Sequence, residues 1–213
     1  MTRKNKTTFT FYVLGNLILT FGISLTIVSN LGTSPYDALL VGLSKVVGLT
    51  VGSWEIIIAF ILIFCNSLLK RQRPELLGLI TAFITGIGID LWLFLLDDFI
   101  IPELWISKLI CFGAGLIVLG FGTAIYLQAN FAPMPLDRLM LIIHELTGLS
   151  ILLSRTFLYL LFLIMALLSN GPIGIGTLLT VCLGGPILNY FMRFTEKISD
   201  LIDYSKHNQN HSV

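Results

Sequence analysis

The chain has 213 residues, of which 55% are hydrophobic and only 12% charged, with a formal net charge of +1. A mean hydropathy of +0.91 lies outside the range of ordinary soluble domains, so lipid rather than water is the main solvent. No face of clustered Lys and Arg exists to hold a phosphate backbone, which excludes nucleic acid as a partner.

Arg3, Lys4 and Lys6 precede the first of six apolar runs, at 9–29, 51–69, 76–96, 106–127, 151–168 and 173–192. Each run, of about 18–22 residues rising about 1.5 Å per residue, is long enough to cross a hydrocarbon core of about 30 Å as a helix. Strand-like alternation is missing, which argues against a transmembrane barrel. The basic start of the first run resembles a signal peptide, but the run is too long and no small-x-small cleavage site follows, so it predicts a retained helix. Cys65, Cys111 and Cys182 all fall inside apolar runs without metal-ligand spacing. They read as buried reduced thiols.

Between the first two runs stands LGTSPYDALLVGLSKVVGLT at 31–50, and between the fourth and fifth stands FAPMPLDRLMLIIHELTGLS at 131–150. Pro35 and Pro135, Asp37 and Asp137, Leu39 and Leu139, Gly48 and Gly148, and Leu49 and Leu149 are each one hundred positions apart. Without a gap, the same offset pairs Gly15 with Gly115, Phe21 with Phe121, Gly22 with Gly122 and Asn30 with Asn130. These identities in one frame predict an internal duplication. Further on, the match loosens to an offset of 98 or 99, which brings 86–90 onto 184–189.

Each quoted phrase predicts a short helix of 13 residues, about 20 Å long, too short to cross. Counting positive charges decides between six spans and eight. With six spans and the N-terminus inside, eleven of the 13 Lys and Arg lie on the cytoplasmic side, leaving Lys45 and Lys108 outside. Eight spans would instead move the basic cluster at 70–73 outside. Three crossings per half is an odd number, so the second half would enter the membrane from the opposite side. The sequence therefore predicts an all-α membrane protein of two inverted-topology repeats, each with three spanning helices and one short Pro-initiated half-helix. The halves are 1–100 and 101–195, followed by a polar cytoplasmic tail at 196–213, expected to be irregular. In such a pair the broken segments meet near the midplane, where transporters place substrate sites.

Ser34, Pro35 and Asp37 have the spacing of a helix start, with a serine cap, proline at the first position and an acid at the third. The second copy has Met134 where the serine stood, so Asp137 would cap alone, with Arg138 available to pair with it. Structural capping and direct binding of a cation, proton or polar solute are both open to the two aspartates. Asn30 and Asn130 end the first helix of each half and suit C-terminal caps as well as solute contacts. Ionisable groups in apolar runs are costly and suggest function. Asp90 is the most suggestive of these, while Glu55 and Arg155, one hundred positions apart, are expected at interfaces within reach of headgroups or water. His144 is expected in a solvated or hydrogen-bonded role. The candidate solute-binding set is thus Asn30, Ser34, Asp37, Asp90, Asn130, Asp137 and Arg138.

Gly-x-Gly occurs at 86–88, 113–115, 120–122 and 174–176, but no strand precedes any of them and no Gly-Lys-Ser/Thr follows. They read as helix-packing glycines. No catalytic triad order, His-Glu-x-x-His or paired-cysteine pattern is present, so neither an enzyme nor a cofactor or metal is expected.

The phrase at 31–37, with Gly48-Leu-Thr-x-Gly52, a basic loop and Gly86-Ile-Gly-Ile-Asp90 after it, resembles the YczE/YitT-type family of bacterial multi-pass membrane proteins across roughly 10–195. The second half carries the signature in degraded form, with Ala132-Pro133-Met134 in place of Gly-Thr-Ser. The resemblance implies a bacterial cytoplasmic membrane protein and supplies no substrate. The expected function is secondary or passive movement of a small solute or ion, powered without ATP, with the alternative of an accessory or scaffold protein. Expected partners are the lipid bilayer and that solute or ion, and self-association into a homo-oligomer is open.

Overall fold

A computed structural model describes residues 3–97, 99–129 and 131–210, and the side-chain surroundings of those within 9–195. Asn130 lies outside the described residues.

The described residues form eight helices and no strand: α1 (Arg3–Val28), α2 (Pro35–Val47), α3 (Val51–Lys70), α4 (Leu77–Asp97), α5 (Trp105–Ala129), α6 (Pro135–Thr147), α7 (Ile151–Leu168) and α8 (Ile175–Asn210). Six of them are long and apolar enough to cross a membrane, and the short α2 and α6 are not. Both short helices begin at the expected proline, because a missing N–H costs nothing in the first turn. The polar tail departs from expectation: α8 continues as helix to Asn210.

The long α1 and α5 cross at the centre. Gly15 lies against Tyr126 and Gly22 against Leu119, so the two helices run antiparallel. A methyl group on Gly22 or Gly122 would strike the facing backbone of Leu119 or Leu19. The recurrence of this glycine at both 22 and 122 is therefore a requirement of one crossing. Between helices already in lipid there is no hydrophobic drive to associate, and close backbone approach supplies dispersion contact instead.

Tyr12 donates to Thr81 (2.6 Å) and Thr85 to Asn16 (3.1 Å), which fixes α4 parallel to α1. Likewise, Phe112 meets Gly176 and Gly120 meets Ile187, which fixes α8 parallel to α5. α2 packs mainly on α7, and α6 mainly on α3. The hairpins differ: α3 and α4 touch backbone to backbone at Gly52 and Gly86, whereas α7 and α8 make no comparable contact among the described residues. Leu152 occupies the place of Gly52 in the second hairpin, and its side chain is exposed.

Candidate functional site

Both short helices start in the interior and end at the periphery. Pro35 through Gly42 are buried, while Lys45 through Thr50 are exposed. In α6, Pro135, Leu139 and Ile142 are buried and Glu145 through Ser150 exposed. The inner halves of both share one apolar cluster, in which Tyr36, Leu39, Leu40 and Leu139 meet Ile58 and Leu62 of α3 and Leu158 and Phe162 of α7. Tyr36 stands edge-on to Phe162, with centroids 5.2 Å apart.

Polar groups gather at the helix starts. The Ser34 hydroxyl accepts the Asp37 N–H (3.1 Å) and donates to Asp37 Oδ2 (2.5 Å). This arrangement satisfies orphan donors of the first turn and places a negative charge at the positive end of the helix. Asp37 is only 6% exposed. Glu55 on α3, 5% exposed, lies within electrostatic reach of the Tyr36 hydroxyl and of Asp37.

The second half is built differently. Met134 offers no side-chain cap, and the cation that reaches Asp137 is Arg155 of α7. Arg155 donates to the Tyr159 hydroxyl (2.8 Å) and lies 5.0 Å from the centre of its ring. Tyr159 is within electrostatic reach of both Asp37 and Asp137, which ties the two helix starts into one polar cluster. Three carboxyl groups, Asp37, Glu55 and Asp137, thus lie about the two helix starts, and Arg155 is within electrostatic reach of the one on α6. Ser154 adds a fully buried hydroxyl without a partner, on the α7 stripe that also carries Leu158 and Phe162.

Two expectations are corrected. Arg138 pairs with Glu75 (2.6 Å) rather than with Asp137, because α6 lays its outer side over the loop that follows α3. Glu55 and Arg155 turn inward to the short helices instead of out to headgroups. Tyr159 was missed, although its spacing of four from Arg155 puts both on one helix face.

The other candidates lie apart from the cluster. Asp90 accepts from Gly52 N–H (2.8 Å) and from the Thr50 hydroxyl (2.6 Å), capping α3 from the neighbouring helix. Asn30 is exposed, at φ +56° just beyond α1, the conformation of a C-terminal cap. His144 bonds the Leu149 carbonyl through Nδ1. Cys65 and Cys182 are exposed on the lipid-facing side rather than buried.

These features define a multi-pass α-helical membrane protein with six long apolar helices and two short Pro-initiated ones. The chain belongs to the family described as a family of unknown function (DUF6198), which it matches over residues 6–193. It is 63% identical over 187 residues to the uncharacterized protein YyaS of Bacillus subtilis (strain 168), covering 88% of this chain and 93% of that one. It is also 39% identical over 184 residues to the uncharacterized membrane protein YczE of the same organism, covering 85% and 83%. A Haemophilus influenzae protein is 30% identical over 191 residues, covering 89% and 84%. No solved structure matches significantly.

Proposed function

We propose that the chain is a secondary carrier of a small solute or ion in the bacterial cytoplasmic membrane, built of two inverted halves with both termini in the cytoplasm. The observation that carries this reading is a set of ionisable groups at the two short-helix starts, Asp37 with Glu55 on one side and Asp137 with Arg155 on the other, with Tyr159 within reach of both aspartates. Such groups are costly at membrane depth and are retained where something charged binds or passes. The excess of carboxyls suits a cation or a solute bearing a positive group. Antiparallel α1 and α5, each with a parallel companion, support the inverted relation. The sequence has no nucleotide motif, so a gradient supplies the energy, and no covalent chemistry is assigned to the cluster.

The test is ligand-dependent thermal stabilisation of the purified protein across cations, anions and zwitterions. A solute at 100 times its dissociation constant contributes about 2.7 kcal/mol. Stabilisation lost in Asp137→Asn supports the reading, and no stabilisation by any solute counts against it. A scaffold role is the second reading, favoured by one fact: Asp37 is already occupied by its cap partners.

A further inference from the structure

A cavity of about 510 Å³ opens between the end of α3, the loop after it, the start of α4 and the first turns of α6. Lys70, Arg73 and Arg138 line it, with Glu75 as the carboxylate of its lining. Lys70 pairs with Glu145 (2.7 Å) and Arg138 with Glu75 (2.6 Å). In both pairs the cation is the more buried member, 20% exposed against 50% and 27% against 51%. The acids therefore sit at the rim, where solvent screens them, and three cations still outnumber two carboxylates.

Two buried atoms of the lining have no partner: Arg138 Nε, a donor, and Asn66 Oδ1, an acceptor on a side chain only 8% exposed. Asn66 is held in place because its amide nitrogen donates to the Pro135 carbonyl (3.0 Å). One wall is apolar and faces the lipid, through Leu77 and Ile80. A second cavity, about 270 Å³ at 30–32, Trp105 and 172–175, has no charged lining residue.

We propose that this cavity binds a hydroxyl-bearing phosphate oxyanion. The anion replaces Glu75 on the Arg138 fork and takes the free Nε–H, while its hydroxyl donates to Asn66 Oδ1. Two sources offer this chemistry: the headgroup of an anionic phospholipid, with its chains along Leu77 and Ile80, and a free phosphate anion. The proposal is independent of the transport reading.

The experiment uses the full-length protein in neutral detergent, titrated with inorganic phosphate, short-chain phosphatidylglycerol or short-chain phosphatidylcholine. It follows thermal unfolding and, by native mass spectrometry, bound adducts. Saturable stabilisation by phosphatidylglycerol alone assigns the headgroup, and stabilisation by phosphate assigns the soluble anion. Arg138→Gln should weaken binding about tenfold or more, and Arg73→Gln, which breaks no ion pair, should weaken it less with the fold intact. Lys45→Gln, at the exposed end of α2, should change nothing. Stabilisation no better than with phosphatidylcholine, or undiminished binding in both arginine variants, would overturn the proposal.

Discussion

Asp37 and Glu55, carried on different helices, lie within electrostatic reach of one another in the buried interior, with the Tyr36 hydroxyl beside Glu55. Glu55→Gln keeps an acceptor beside Tyr36 while removing a titratable group buried close to Asp37, so its stability should equal or exceed that of the native protein. Glu55→Leu removes the polar group beside that hydroxyl and should cost about 1–3 kcal/mol. Denaturation of both variants in the same detergent checks the order, and a leucine variant as stable as the glutamine one would remove Glu55 from the polar cluster.

The caps of the two short helices are unequal, and the inequality is measurable. Ser34→Ala removes the acceptor of the Asp37 N–H and should destabilise by about 1 kcal/mol. Met134→Ala removes no cap bond, so any loss there reflects packing alone. Protease resistance or thermal unfolding of the pair gives the comparison.

Close helix approach makes a third contrast. Gly52→Ala puts a methyl group into the Gly86 carbonyl and should cost about 1–3 kcal/mol by overpacking. Gly113→Ala meets nothing within 4 Å and should be neutral or slightly stabilising. Equal behaviour of the two would contradict the contact between α3 and α4.

Much of this architecture was legible in the chain. Run lengths gave the six long helices, and Pro35 and Pro135 marked both short ones, because proline and length act locally. The paired glycines were visible as a pattern, but their reason, the α1–α5 crossing, needed the facing backbone. Glu55 and Arg155 were visible at matched positions yet read outward, since no periodicity tells which side of an apolar helix meets protein and which meets lipid. Arg138 finds Glu75 across 63 positions of sequence, a pairing that depends on where α6 comes to rest.

Orientation can be tested with single cysteines on a background lacking Cys65, Cys111 and Cys182. A cysteine at Gln72, an exposed position in the basic loop, should react with a membrane-impermeant reagent only in inverted vesicles or after lysis. Reaction in intact cells would place the loop outside and reverse the proposed topology.

The most direct test of the central claim is solute flux into proteoliposomes across a panel of cations, anions and zwitterions, with Asp37→Asn and Asp137→Asn in parallel. The account expects at least one solute to enter faster than into empty vesicles, and either substitution to slow it about tenfold or more. Flux no faster than through protein-free lipid for every solute, or flux unchanged in both variants, would contradict it.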